Sequence, residues 1–272
     1  MADSARPIGV FDSGVGGLTV VNKLRHLLPH EDIVYLGDTK RNPYGARTKE
    51  ELIRFTREII AFLKTRHVKL IAFACNTATA AAYDTVVGET DIPLLGMCRG
   101  IKTAAGISSE KRIAVFATPV TIANHIHRNE AARLDKTLEI VEQPCATLAG
   151  LIERGCLEGE EIRAAVAADT APVLKAGVDT AIFGCTHYPF VQPVFESFCG
   201  DSVVFVDPAH ETALQASALL KKRGLLNEQK QNGYLQLFFT AEAGGEPIWL
   251  RTFWSPTRSQ SGKPFCLNSL QS

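Results

Sequence analysis

The chain has 272 residues, 46% of them hydrophobic, and its 29 Lys plus Arg balance 29 Asp plus Glu. That length suits two domains of ordinary size, and the apolar fraction is that of a soluble globular protein. The balanced charge gives no field to attract nucleic acid or an anionic membrane, no run reaches the roughly 18 apolar residues that span a bilayer, and Met1 to Pro7 lacks the apolar core of a signal peptide.

In chain order, Ile8 to Phe11 reads as a strand, and Asp12-Ser13-Gly14-Val15-Gly16-Gly17 as a glycine-rich turn. A helix follows from Leu18 to Leu28, stopped by Pro29, and then a strand from Ile33 to Leu36. Lys40 to Arg47 is a polar loop. Thr48 opens the next helix, with Glu51 placed for a capping box. The apolar run Leu70 to Ala74 is a buried strand that breaks off at Cys75-Asn76-Thr77, where an alanine-rich helix begins; Ile92 to Leu95 is a further strand. Strand and helix alternate, so a parallel sheet covered on both faces is expected.

A second round follows. Strands are expected at Ile113 to Ala117, Leu138 to Val141, the run ending at Cys185, and Val203 to Val206. Helices are expected at Thr121 to Leu134, Leu148 to Arg154, Glu160 to Lys175 and Glu211 to Arg223, with a last strand from Leu235 to Thr240. Beyond Ser255 the composition predicts a flexible tail, 256–272. The two rounds match. Ile8-Gly-Val-Phe-Asp-Ser13 corresponds to Ile113-Ala-Val-Phe-Ala-Thr118, 105 positions on, and Cys75 to Cys185, 110 positions on. This is an internal duplication. It gives two similar α/β lobes, each bringing one cysteine to the carboxyl edge of a parallel sheet, where such folds bind ligands.

Seven cysteines, an odd number without framework spacing, imply reduced thiols in a cytoplasm. No Cys-x-x-Cys pair supplies a zinc site. A lone cysteine is most often a buried structural thiol. A pair at equivalent places in duplicated lobes reads differently: one thiolate takes a proton from a carbon while the other thiol gives one to its opposite face. Both cysteines are expected at helix starts, where the positive helix end helps a thiol ionise. His187, two residues from Cys185, and Asp12 on the other lobe are the candidate helpers. Backbone N–H groups of the Asp12 turn, with Ser13, suit a small anion; the plain alternative is a tight turn with Asp12 as its cap. No phosphate-binding lysine follows this turn, which disfavours a nucleotide-binding protein. On sequence alone Glu153 is a solvated helix carboxylate.

Four motifs in register resemble the glutamate racemases: Phe11 to Val20, Gly37-Asp38-Thr39 with Arg41 and Pro43-Tyr44-Gly45, Ala74 to Ala78, and Gly184 to Pro189. The resemblance covers roughly Ile8 to Leu220. It implies two pseudo-symmetric, doubly wound lobes with mainly parallel sheets and the active site in the cleft between them. Residues 1–97 plus 208–255 would form one lobe and 98–207 the other. It implies cofactor-independent, metal-free interconversion of L- and D-glutamate for peptidoglycan, by Cys75 and Cys185 as acid and base. Asp12 and His187 would assist them, with Glu153 as a further carboxylate. Substrate contacts would come from Asp12, Ser13, Tyr44, Gly45, Asn76, Thr77, Thr186 and His187. A cytoplasmic homodimer is expected, with no nucleic-acid or membrane partner. The alternatives are a racemase of aspartate or another acidic amino acid, and a non-catalytic paralogue that binds one. The chain departs from the family at Cys98-Arg99, where Glu-Pro is usual, and at Asn124 and His127, near a usual serine and tyrosine.

Overall fold

The computed structural model describes residues 3–240 and the backbone of 259–260. All but those two residues of the expected tail, 256–272, lie outside the described residues. The chain divides into two compact units, Met1–Met97 with Ala209–Ser272, and Cys98–Pro208.

The first unit runs β1 (Ile8–Asp12), α1 (Leu18–Leu27), β2 (Ile33–Gly37), α2 (Lys49–Thr65), β3 (Leu70–Phe73), α3 (Asn76–Val86) and β4 (Leu94–Leu95). The second contains α4 (Ile101–Ile107), β5 (Arg112–Ala117), α5 (Pro119–Ala123), α6 (Ile126–Leu134), β6 (Glu139–Pro144), α7 (Leu148–Glu153), α8 (Glu160–Lys175), β7 (Thr180–Gly184), α9 (Gln192–Cys199) and β8 (Val204–Val206). The chain then returns to the first unit with α10 (Ala209–Lys222), β9 (Leu235–Phe239) and β10 (Ser259–Gln260).

Every strand pair is parallel. The first sheet has the order β10-β9-β2-β1-β3-β4 and the second β6-β5-β7-β8. Each therefore contains the same doubly wound unit, in which the second strand lies on one side of the first and the third and fourth on the other. Right-handed crossovers then put helices on both faces, the face changing where the winding direction reverses. Hence β1, β2, β3 and β7 are buried along their whole length, and their sequences are continuous apolar runs rather than alternating ones. In the first unit α1 packs along α10, and α2 along α3. The capping box forms as expected: the Glu51 N–H donates to Thr48 Oγ1 (3.2 Å), and the Thr48 N–H to Glu51 Oε2 (2.9 Å). It starts a helix that buries Leu52, Phe55, Ile59, Phe62 and Leu63.

The expected single helix from Thr121 to Leu134 is two, α5 and α6, separated by His125 at φ 48°. Histidine is among the side chains that enter this left-handed region more readily than most. The expected strand at Leu138 to Val141 begins one residue later and runs on to Pro144. In the first turn of α6, His127 is fully buried and neither ring nitrogen has a partner among the described residues. Burial, then the charge of Arg99, lowers its pKa from 6.5 to about 3.

A depressed histidine pKa makes the unfolded chain bind more protons than the native one. Stability is therefore complete above pH 6.5 and is lost as pH falls from there towards about 3. Replacing His127 by leucine, of similar size, removes both the unsatisfied ring and its titration. His127→Leu is expected to gain about 1–3 kcal/mol at pH 7 and to flatten the decline in thermal midpoint between pH 6.5 and 4. An unchanged pH slope would contradict the buried, unpaired state of this ring.

Candidate active site

Strands β1 and β3 are neighbours, with Phe11 opposite Phe73, so Asp12 and Cys75 leave the first sheet at the same edge. Cys75 is the N-cap of α3, and its sulfur accepts the Ala78 N–H at 3.5 Å as well as that of Ser13. The glycine turn is wrapped around Asp12, whose Oδ2 accepts the N–H groups of Gly17 (2.9 Å) and Gly14 (3.3 Å). A Cβ on Gly17 would stand 2.7 Å from the Cβ of Asp12 and 2.9 Å from that of Ala74, so a side chain there would push the turn off both strands. Of the two readings of this turn, the structure has the tight turn capped by Asp12: the anion held by two of its amides is its own aspartate.

Burial pushes the Cys75 thiol well up, and the adjacent Asp12 carboxylate pushes it further; the two backbone N–H groups do not offset this. Cys75 is thus held protonated. Around it, Ser13, Asn76 and Thr77 are all buried. The Asn76 amide nitrogen has no hydrogen-bond partner among the described residues, which leaves a buried donor beside the thiol. Tyr44 begins a single helical turn, Tyr44–Ala46, and its hydroxyl donates to Asp38 Oδ2 at 2.5 Å. Gly45 is in the same turn.

In the second unit Cys185 leaves β7, the strand equivalent to β3, beside β5. Its sulfur lies 3.6 Å from His187 Nδ1, and His187 Nε2 lies 2.5 Å from Glu153 Oε1. Glu153, read from sequence as a solvated carboxylate, is the last residue of α7 and is turned onto the histidine. Burial alone would lower the pKa of His187. The hydrogen bonds and negative charge of Cys185 and Glu153 outweigh it and hold the imidazolium well above the usual histidine range. The expectation that both cysteines begin helices holds for Cys75 only. After Cys185 come a short 3-10 turn, Tyr188–Val191, and then α9 from Gln192. Positive charge beside Cys185 is supplied by His187, not by a helix end. Thr186 is buried next to it.

Sequence reasoning did not single out Asp38 as a supporting residue, nor Thr240, whose hydroxyl donates to Asp38 Oδ1 at 2.8 Å. It also passed over a cluster in which the buried Tyr188 donates to the carbonyl of the buried Cys145 (3.3 Å) and the half-buried Asp169 is hydrogen-bonded to Cys145. Asp38 stands in a recognisable motif; nothing in the sequence around Thr240 marks it.

Residues 8–216 match the family model described as Asp/Glu/Hydantoin racemase. The chain belongs to this racemase family. It is 43% identical over 231 residues to a protein named glutamate racemase from Herpetosiphon aurantiacus, covering 85% of this chain and 91% of that one. Among solved structures, a glutamate racemase of Bacillus anthracis is 32% identical with a TM-score of 0.88, covering 97% of each chain. A glutamate racemase of Francisella tularensis in complex with D-glutamate is 30% identical with a TM-score of 0.84, covering 98% of this racemase and 99% of that chain.

The charge on His187 has a direct test. In this racemase the ring should remain an imidazolium at pH values where an ordinary histidine, with a pKa near 6.5, is neutral. Glu153→Gln removes one of its two anionic partners, so its titration should move to lower pH. Nitrogen-15 chemical shifts of the imidazole across a pH series would show both. A titration unmoved by Glu153→Gln would mean that this carboxylate does not set the charge.

Proposed function

We propose that this racemase interconverts L- and D-glutamate by cofactor-independent proton transfer between Cys75 and Cys185, acting on opposite faces of the substrate Cα. The observation that carries this reading is the pair of buried sulfurs with oppositely charged neighbours at equivalent strand ends. Cys75 keeps its proton through burial and through the carboxylate beside it. Cys185 has an imidazolium beside it, held by Glu153. Two-base chemistry needs this inequality, because one sulfur must arrive as thiolate and the other as thiol.

In one direction the Cys185 sulfur, as thiolate, takes the Cα proton, and the electron pair is left on Cα next to the carboxylate. The Cys75 thiol then gives its proton to the other face. Cys185 ends as thiol and Cys75 as thiolate, which is the starting state for the reverse direction. The pair is reset by exchange with solvent, one proton leaving Cys185 and another arriving at Cys75, with the His187 imidazolium and the Asp12 carboxylate beside them unchanged in charge. The free amide of Asn76, the Ser13, Thr77 and Thr186 hydroxyls and the Tyr44-Gly45 turn offer the donors that two carboxylates require. Glutamate, rather than aspartate, is supported by the names of the relatives and by the bound D-glutamate of the Francisella enzyme. The same reading makes the enzyme a cytoplasmic homodimer that supplies D-glutamate for peptidoglycan.

Two experiments test it. Each acidic amino acid is incubated in D₂O without cofactor, following loss of optical rotation and deuteration at Cα. Glutamate should be turned over fastest, and turnover of none would leave an amino-acid-binding protein. Second, Cys75→Ser and Cys185→Ser should each lower racemisation by about 10²–10⁴-fold, the usual weight of a positioned acid or base. Each variant should retain HCl elimination from one enantiomer of β-chloroalanine, which needs proton abstraction from one face only. The enantiomer preference should be opposite in the two variants; the same preference in both would refute action on opposite faces.

A further inference from the structure

Asp38 is fully buried and is the hub of the loop that carries Tyr44 and Gly45. Its Oδ2 accepts from the Tyr44 hydroxyl and from Arg41 Nε, each at 2.5 Å. Its Oδ1 accepts from Thr240 Oγ1 at 2.8 Å. The Thr240 hydroxyl oxygen in turn accepts the N–H of Lys40 at 3.0 Å, so one hydroxyl bridges the hub and the loop backbone. Arg41 continues to Glu58 on α2 and lies 4.1 Å over the Phe55 ring. From the far side of the loop, the Asn42 amide donates to the Ser13 carbonyl at 3.1 Å.

Thr240 directly follows β9, the strand added to the first sheet on the outer side of β2, with Phe239 opposite Gly37. The closeness is built in: a Cβ on Gly37 would stand 2.5 Å from the Gly14 carbonyl and 2.7 Å from the Phe239 ring. Thr240 lies beyond residue 216, where the match to the family model ends. The hydroxyl reaches no reacting group. Its geometry is that of a latch between the C-terminal strand and the loop.

We propose that Asp38 and Thr240 are positioning residues, and that the C-terminal strand thereby completes the substrate site by fixing the Tyr44-Gly45 turn. The proposal rests on the reading of that turn as a substrate contact. A loop held only by its two ends would sample many arrangements, and ordering it would weigh against each binding event. With the latch in place, that ordering is already done in the free enzyme. The effect therefore falls on substrate affinity rather than on the proton-transfer step.

The test uses the full chain with Thr240→Val, which keeps the shape and removes the hydroxyl, and Thr240→Ser, which restores the hydroxyl. Thr240→Val should raise KM for glutamate about tenfold, the order expected for losing a hydrogen bond to a buried carboxylate, with kcat within about twofold. It should also speed hydrogen exchange of the backbone amides of residues 39–47. Thr240→Ser should return both to wild-type values. Unchanged KM and unchanged exchange in a folded Thr240→Val variant would overturn the proposal. Faster exchange with unchanged KM would overturn it too, by removing the Tyr44-Gly45 turn from substrate binding. Equal loss in Thr240→Ser would show that packing, not the hydroxyl, is at work. Wild-type turnover of glutamate, measured alongside, separates any of these results from a failure of the glutamate reading itself.

Discussion

Opposite charges set beside two buried sulfurs are the constraint on which the rest of this structure depends. A thiol out of water resists ionisation, and the direction of further bias is fixed by its nearest charge. The Asp12 carboxylate adds to the effect of burial at Cys75. At Cys185 the neighbour is an imidazolium, itself maintained against burial by the sulfur on one side and Glu153 on the other. The Cys185–His187–Glu153 chain is thus a unit: removing the carboxylate changes the charge on the ring, and through the ring the charge beside the sulfur.

The fold supplies the places for these groups twice. A sheet in which the chain winds first to one side and then to the other has a reversal beside its first strand, and loops at that point open away from the helices. β1 and β3 frame this point in the first unit, β5 and β7 in the second. Each cysteine follows the strand just past the reversal. The duplication repeats strand order and cysteine position, but not the local ends of the strands. Cys75 runs directly into α3, while Cys185 is followed by a 3-10 turn. That difference in backbone gives the two thiols different neighbours.

Much of this was legible in the chain. Continuous apolar runs marked the buried strands, the Thr48 and Glu51 spacing marked a helix start, and the repeat spacing paired Cys75 with Cys185. These are local signals, in which side-chain type and spacing decide the outcome. What could not be read depends on contacts distant in sequence. Glu153 looked solvated because nothing near it reveals that α7 ends against His187. Thr240 meets Asp38 only because β9 is added beside β2, about 200 positions from the loop it holds. The break at His125 was hidden because an apolar spacing continues across it, whereas the glycine turn left two readings open, of which the tight turn capped by Asp12 is the one that forms.

The central claim is that two different sulfurs handle the proton on the two faces of one carbon. Its most direct measurement is the position of deuterium during the first turnovers of L-glutamate in D₂O. With two bases, the D-glutamate formed carries deuterium at Cα from the start, because its proton comes from the second sulfur, already exchanged with solvent. The L-glutamate that remains keeps its original protium. D-glutamate as substrate should give the mirror result. If one group serves both faces, label enters the unreacted substrate as fast as the product, or product forms with the original protium retained. Either outcome would contradict the account.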